Sequence, residues 1–173
     1  MLTQKQSILV KEKYGTPTYV YSFRRLAENV SNVLRMPSAF GMTPRFAMKA
    51  NPSVSILRAL KRTGIDHVDA SSTWEVQRAL LAGFKINHIS LSTQMLSKDY
   101  EYFFERGMRL NLCSLSQLVR FGERFRGCQQ VGLRFNPGLG SGEVDATNVG
   151  GPASSFGIWH ESVEKVREIL TRY

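Results

Sequence analysis

The chain has 173 residues and a formal net charge of +9 at pH 7, with 42% hydrophobic and 21% charged residues. This length and composition are typical of one soluble globular domain. No apolar run approaches the roughly 18 residues that a membrane-spanning helix needs, and residues 1–13 lack a secretory-signal pattern. The two cysteines, Cys113 and Cys128, have no metal-ligand spacing and form no disulfide framework. We therefore predict a cytoplasmic protein with no structural metal and no membrane partner.

The excess of basic residues raises the alternative of a nucleic-acid-binding protein, because basic side chains that neutralise phosphates release counterions. Here the basic residues are scattered over predicted helices, as at Arg24, Arg62 and Arg124, and no basic-aromatic motif occurs. We interpret the charge as a solvated surface and predict no nucleic-acid partner. A second interpretation is that sequence beyond Tyr173 supplies balancing acids.

Hydrophobic periodicity predicts an alternation of short strands and amphipathic helices. A strand at Thr18–Tyr21 and a helix at Phe23–Leu34 come first. Five strands that each precede a helix follow, at Arg45–Met48, His67–Ala70, His88–Leu91, Arg109–Leu112 and Gln130–Phe135. The predicted helices are Ser53–Arg62, Trp74–Leu81, Lys98–Arg106, Ser116–Phe125 and one that begins near His160.

This strict alternation implies parallel strands joined by right-handed crossovers. A doubly wound sheet and a (β/α)8 barrel both begin in this way, and periodicity does not separate them. A complete barrel needs about 250 residues, so a barrel would be present only in part. The long connection Asn136–Ser155 contains five glycines, and we predict that it is mobile and approaches a ligand.

Ligands of parallel α/β folds bind where the strands end, which directs attention to Lys49. It closes an apolar strand in the segment Arg45-Phe-Ala-Met-Lys-Ala-Asn-Pro52. A lysine amine at such a place can act as a nucleophile toward a carbonyl group. Taken alone, such a lysine is more often one that ends a strand and extends into solvent.

Several segments together are similar to one enzyme family. Arg45–Pro52 resembles the cofactor-lysine motif of diaminopimelate decarboxylases, which belong to the barrel family of pyridoxal-phosphate enzymes that includes alanine racemase and ornithine decarboxylase. Further segments resemble the family's entry strand, its second strand and helix, its fifth strand, and a loop typical of its bacterial subgroup: Tyr14–Tyr21, Val68–Glu75 with Arg78–Gly83, Val131–Gly138 and Thr147–His160. The resemblance implies an alanine-racemase-type barrel of about five β/α units. Residues 1–173 would form the N-terminal part of its pyridoxal-phosphate-binding domain.

The resemblance also implies roles for individual residues. Lys49 would bond the cofactor, pyridoxal 5'-phosphate, and act as the catalytic residue. Asp69 and Arg134 would lie beside the cofactor, Ala47 beneath its ring, and Glu75 would match a family acid. The structural alternatives are that Asp69 caps a helix, that Glu75 occupies a first helical turn, and that Arg134 pairs with a carboxylate.

The implied reaction is decarboxylation of meso-diaminopimelate to L-lysine by a homodimer that takes a small amino acid as substrate. The alternatives are a decarboxylase of ornithine, arginine or carboxynorspermidine, a non-catalytic pyridoxal-phosphate-binding protein, and a degenerate copy. Thr73 and Trp74 replace glycines of the family motif, and Ser155 stands where many members carry lysine. The rest of the barrel and a β-domain would follow Tyr173, so we expect residues 1–173 to be inactive alone and to self-associate.

Overall fold

The computed structural model describes residues 2–37, 39–140, 149–152 and 154–173. The helices are α1 (Gln4–Tyr14), α2 (Phe23–Leu34), α3 (Val54–Arg62), α4 (Thr73–Leu81), α5 (Tyr100–Phe104), α6 (Leu115–Arg124) and α7 (Val163–Arg172). The strands are β1 (Phe46–Ala47), β2 (Val68–Ala70), β3 (Ile89–Ser92), β4 (Arg109–Leu112), β5 (Gly132–Leu133), β6 (Phe135–Asn136) and β7 (Ile158–Trp159). Short 3-10 turns lie at Met48–Ala50, Ile86–His88 and His160–Ser162.

The first five strands form a parallel sheet in the order β1-β2-β3-β4-β5, so that each strand lies beside the next one along the chain. This sequential order is the order of a barrel wall, because a doubly wound sheet reverses direction beside its first strand. The predicted partial barrel is therefore confirmed, and the doubly wound alternative is wrong.

Arg134 joins the five-stranded sheet to a further pair of parallel strands. Its backbone N–H donates to the carbonyl of Leu112 at 2.9 Å, and its carbonyl accepts from the N–H of Ile158 at 2.7 Å. β6 then pairs in parallel with β7. The strand predicted at Gln130–Phe135 is thus divided at Arg134 into β5 and β6, and the wall continues into one strand more than the sequence predicts.

Alternation along the strands separates an apolar face from a polar face. Val68, Leu91 and Leu112 are fully buried and belong to one hydrophobic cluster with residues of the helices, among them Leu57 and Val76. The intervening positions carry polar side chains that are paired in register across neighbouring strands: Asp69 with Ser90, and Ser92 with Asn111. The helices therefore cover the apolar face, and the polar side chains line the interior of the partial barrel.

The strand predicted at Thr18–Tyr21 is wrong. This segment has no strand hydrogen bonding, and Tyr19 is 88% exposed. Among the described residues, β1 pairs only with β2, so nothing offers these aromatic and β-branched residues a neighbouring strand. Their preference for strands depends on packing against such a neighbour. The segment instead leads to Ser22, whose hydroxyl accepts from the N–H of Arg25 and begins α2.

One α-helix and one strand, α1 and β7, were not predicted from the sequence. α1 begins after Thr3, which forms a reciprocal capping box with Gln6. It lacks the apolar period that would predict a helix from the sequence, and none of its residues is buried. β7 is only two residues long. In the predicted loop Asn136–Ser155, residues 141–148 and 153 lie outside the described residues. The predicted mobility of this loop therefore stays a prediction. No helix in the described ranges is long and apolar enough to cross a membrane.

Candidate functional site

A cavity of about 400 Å³ lies at the carboxyl ends of β1, β2, β3 and β5. Four of the five side chains that the sequence predicts for a site line it, namely Ala47, Lys49, Asp69 and Arg134. The remaining lining residues are Ser71, Ser92, Thr93, Gln94, Met95 and Phe156. The structure therefore brings together an amine, a carboxylate, a guanidinium and several hydroxyls where ligands bind in parallel α/β folds.

Lys49 lies on a short turn directly after β1. The neighbouring Met48 is fully buried and anchors this turn in the core. Asn51, two residues further on, accepts from the N–H of Ser53 at 3.0 Å and donates to the Tyr21 hydroxyl at 3.0 Å. Across the described residues, the Lys49 amine has no hydrogen bond and no ion pair. The backbone is thus fixed while the amine is left available to a ligand.

Side chains of β3 and β4 form a hydrogen-bond network with Asp69 inside the partial barrel. Its Oδ1 accepts from the hydroxyl of Ser90 at 2.5 Å and from that of Ser92 at 3.4 Å. The amide of Asn111 in turn donates to the Ser92 hydroxyl at 2.8 Å. Both hydrogen bonds use Oδ1, so the carboxylate has a fixed orientation, and within the described ranges Oδ2 is available. The cap of α4 is Ser72, not Asp69.

Glu75 is the one predicted site residue that the structure does not bring to the cavity. It is buried in the first turn of α4, and its Oε2 accepts from the backbone N–H of Ser71 at 2.7 Å. Because Ser71 lines the cavity, Glu75 fixes the backbone beside the site. The indole of Trp74 is 53% exposed, with the Arg78 guanidinium carbon 4.5 Å from its ring centroid.

Arg134 stacks on an aromatic ring at the far side of the cavity. Its guanidinium carbon lies 4.8 Å from the ring centroid of Phe156, which holds the charge over an apolar face. In the described part of the chain, the Arg134 guanidinium forms no ion pair, so the alternative of a braced carboxylate is not what the structure shows. The positive charge is therefore available to an anionic ligand.

Asn136 holds the segment that carries Phe156, although the sequence did not single it out. The side chain is buried, and its amide donates to the carbonyls of Gly151 at 2.9 Å and Ser154 at 3.2 Å. Its oxygen accepts from the N–H groups of Gly138 and Gly151, each at 3.0 Å. All four hydrogen-bonding positions of the amide are used. An asparagine that ends a strand directly before Pro137 was the available signal.

Burial changes the chemistry of the one cysteine near the site. Cys113 follows β4, and its burial raises the pKa of the thiol above the usual range, although the positive charge of Arg134 opposes the shift. The group is consequently a neutral thiol at neutral pH. In the portions of the chain that the structure describes, no three His, Cys, Asp or Glu residues come close enough together to hold a metal ion.

Comparison with known proteins shows the family and the fold. The family model for the pyridoxal-binding domain of pyridoxal-dependent decarboxylases matches residues 24–173. The diaminopimelate decarboxylase of Streptomyces coelicolor is 31% identical over 93% of this chain, and that of Buchnera aphidicola subsp. Acyrthosiphon pisum is 33% identical over 99%. A crystal structure of a diaminopimelate decarboxylase superimposes with a TM-score of 0.84 at 28% identity and covers 98% of this chain.

The fold and these comparisons define a pyridoxal-phosphate-binding barrel of the alanine racemase type. The chain belongs to the pyridoxal-dependent decarboxylase family and contains its pyridoxal-binding domain over residues 24–173. It spans only 36% and 40% of the lengths of the two relatives named above. The diaminopimelate decarboxylase of Helicobacter pylori in complex with L-lysine shares the fold, with a TM-score of 0.82 at 23% identity.

The residues present fit pyridoxal phosphate. A cavity of about 400 Å³ lies within the usual size range of small-molecule sites. The unpartnered amine of Lys49 can bond an aldehyde, and the guanidinium of Arg134 and the hydroxyl of Ser71 can face anionic or polar groups. Asp69 offers a fixed carboxylate on the same wall.

Proposed function

We propose that this chain supplies the cofactor-bearing part of a diaminopimelate decarboxylase, which removes one carboxyl group of meso-diaminopimelate as carbon dioxide and yields L-lysine. The observation that carries the proposal is the unpartnered Lys49 amine in one cavity with Asp69 and Arg134. The relatives support the substrate class, since relatives about 30% identical over more than nine tenths of this chain are named diaminopimelate decarboxylases. Because the chain spans about two fifths of their length, the activity belongs to the complete protein.

Bound pyridoxal phosphate supplies an electron sink for the electron pair that remains when carbon dioxide leaves. The chain's own residues hold and orient the reactants. Lys49 provides the nucleophilic amine from a turn that the buried Met48 keeps in place. Asp69 presents a carboxylate whose orientation two hydroxyl donors fix, so it can hold a proton-bearing group of the ligand. Arg134 offers positive charge to an anionic group, and its stacking on Phe156 orients the guanidinium.

The proposal extends to where the protein acts and how it assembles. The described cysteines, Cys113 and Cys128, are free thiols, which suits the reducing cytoplasm. Met95 and Leu139 are 86% and 80% exposed, and Met95 lines the cavity. Met95 therefore offers apolar surface at the cavity that another part of the protein can cover. We infer that the rest of the barrel and a second subunit of a homodimer complete the site.

The nearest alternative is decarboxylation of another basic amino acid. Solved structures of an arginine decarboxylase and of a lysine/ornithine decarboxylase share the fold with TM-scores of 0.71, but at only 15% and 16% identity. These likenesses support the barrel and not the substrate. The higher identity to diaminopimelate decarboxylases favours diaminopimelate.

The test measures carbon dioxide release by the complete protein with pyridoxal phosphate and each of meso-diaminopimelate, ornithine and arginine. We expect release from meso-diaminopimelate, and its loss in Lys49→Ala but not in Lys165→Ala, which removes an exposed lysine of α7. We expect residues 1–173 alone to release none. Equal or faster release from ornithine or arginine would refute the proposed substrate, and full activity of Lys49→Ala would refute the proposed site.

A further inference from the structure

Gln117 is a buried glutamine whose side chain holds three separate backbone groups. It is 1% exposed, and its Oε1 accepts from the N–H of Cys113 at 2.7 Å. Its Nε2 donates to the carbonyls of Thr93 at 3.0 Å and Gln94 at 2.8 Å. Thr93 and Gln94 belong to the loop after β3 and line the cavity, whereas Cys113 ends the next strand. One side chain therefore joins two strand ends beside the candidate cofactor site.

The position of Gln117 in its helix has a counterpart in α4. Ser114 caps α6 and Gln117 is the third residue of that helix, as Ser72 caps α4 and Glu75 is its third residue. In both helices, this third side chain accepts the N–H of the residue before the cap. A carboxylate such as that of Glu75 can only accept hydrogen bonds, whereas an amide also donates. Gln117 thereby reaches the neighbouring loop as well as its own turn.

The loop that Gln117 holds extends across the mouth of the cavity. The side-chain amide of Gln94 donates to the hydroxyl of Ser155 at 3.0 Å. Ser155 directly precedes Phe156, the ring on which Arg134 stacks. Gln94 is thus fixed through its carbonyl by Gln117 and contacts the opposite wall through its own side chain. A shift of the loop after β3 would be transmitted to both walls.

We propose that Gln117 is a positioning residue of the cofactor cavity: it fixes the wall formed by residues 93–95 and, through Gln94, the spacing to the Phe156 side. The inference rests on the proposed function for the identity of the ligand. A purely structural role, in which Gln117 only completes the cap of α6, is the alternative. The two differ because the cap uses the bond to Cys113, whereas positioning uses the bonds to Thr93 and Gln94.

One substitution separates the bond to Cys113 from the other two, and a second removes all three. Gln117→Glu keeps the shape and the acceptor for the Cys113 N–H but turns lone pairs toward the two carbonyls. Gln117→Met keeps the approximate volume and removes all three bonds without adding a charge, which covers the case that the glutamate variant does not fold. The matched control is Ser114→Ala, which removes the hydroxyl that accepts from the Gln117 N–H at 3.2 Å and leaves the side-chain amide of Gln117 in place.

The first readout is amide hydrogen exchange followed by mass spectrometry on the 173-residue chain without cofactor. We expect the amides of residues 93–97 to exchange about tenfold faster in both Gln117 variants, at unchanged protection of β2. The carbonyls of Thr93 and Gln94 lose their donor, so the loop opens more often. Ser114→Ala should change the first turn of α6 and not this loop. Wild-type protection of residues 93–97 in both Gln117 variants, or the same increase in Ser114→Ala, would overturn the proposal.

The second readout is the dissociation constant of pyridoxal 5'-phosphate, titrated by its absorbance in the complete protein. We expect about a tenfold increase for the Gln117 variants, a usual size for coupling between a site and its support, and little change for Ser114→Ala. Unchanged affinity together with faster loop exchange would also overturn the positioning role. If the wild-type protein binds no pyridoxal phosphate, the proposed function fails, and the exchange measurement still decides whether Gln117 fixes the loop.

Discussion

The side chain of Asn136 is bonded twice to the same residue, Gly151. Its Nδ2 donates to the Gly151 carbonyl at 2.9 Å, and its Oδ1 accepts from the Gly151 N–H at 3.0 Å. The paired bonds resemble those between neighbouring strands, although Gly151 belongs to an irregular segment. The Asn136 side chain thereby makes the two hydrogen bonds that the backbone of a neighbouring strand would make, and it fixes the segment that leads to Phe156.

We predict that Asn136→Asp destabilises the protein although it is nearly isosteric. The carboxylate keeps both acceptor bonds but loses the two donors, and it faces the carbonyls of Gly151 and Ser154. Loss of buried hydrogen bonds with unpaired acceptors costs about 1–3 kcal/mol of the free energy of unfolding. Urea denaturation measures this difference. Asn87→Asp, at an exposed position, is the control, and an equal effect of both changes would contradict the prediction.

Gly157 is expected to tolerate no side chain, for two separable reasons. Its φ is +87°, and a Cβ at this position would lie 2.9 Å from the backbone nitrogen of Asn136. Gly107 has a similar φ of +96° but nothing within 4 Å of its Cβ position. Gly107→Ala should therefore cost only the roughly 1–2 kcal/mol of left-handed backbone, and Gly157→Ala clearly more. Equal losses of the free energy of unfolding in Gly107→Ala and Gly157→Ala, measured by thermal or urea denaturation, would contradict a cost from the close approach to Asn136.

The two cysteines should differ in reactivity. Cys128 is exposed, whereas Cys113 is buried with a raised pKa, and the thiolate is the reactive form. In the native protein at pH 8, we expect Cys128 to react with Ellman's reagent well before Cys113, and both to react at once in guanidinium chloride. Cys128→Ser leaves only the slow phase. A fast phase that survives in Cys128→Ser would contradict the burial of Cys113.

The same thiol predicts a loss of stability in alkali. The pKa of Cys113 is raised in the folded protein, so the unfolded chain loses its proton first, at pH values near the ordinary 9.0. Above that pH, the free energy of unfolding should fall, and Cys113→Ala should flatten the fall in matched urea titrations. An identical pH dependence in the variant would contradict this assignment.

His67 predicts the opposite dependence in acid. Burial lowers its pKa below the ordinary 6.5, with further contributions from His88, whose ring stacks on it at 4.1 Å, and from Arg45 and Arg109; Asp66 partly opposes them. The unfolded chain therefore binds the proton more readily, and stability should fall as the pH falls through 6.5. We expect His67→Gln to weaken this slope in urea titrations between pH 8 and 5. A slope unchanged by the substitution would refute the assignment.

The sequence predicted the parts of the fold that depend on local pattern. Helix α2 and strand β4 have the predicted bounds, because each combines a clear apolar period with a definite start. Thr18–Tyr21 failed because strand formation depends on a neighbour that the segment itself does not reveal. β7 was missed for the same reason, since its two residues form a strand only by pairing with β6.

The site was predictable to the extent that its residues end strands. Lys49 follows β1, Asp69 lies one residue before the end of β2, and Arg134 follows β5, so a parallel sheet brings them to one rim. Their individual roles came from the family resemblance and remain predictions. Asn136 offered only a local signal, its place before Pro137, and Gln117 offered none, because the backbone groups of Gly151 and Gln94 that they bond lie far from them in sequence.

The central claim, that Lys49 is the cofactor lysine, is tested most directly by borohydride reduction in the presence of pyridoxal phosphate, followed by peptide mapping. In the complete protein, we expect one cofactor fixed covalently on the peptide that contains Lys49, together with the visible absorbance of bound cofactor before reduction. Both signals should vanish in Lys49→Ala and persist in Lys165→Ala. Residues 1–173 alone should label weakly and at the same lysine. Label spread evenly over the lysines, or undiminished in Lys49→Ala, would contradict the claim.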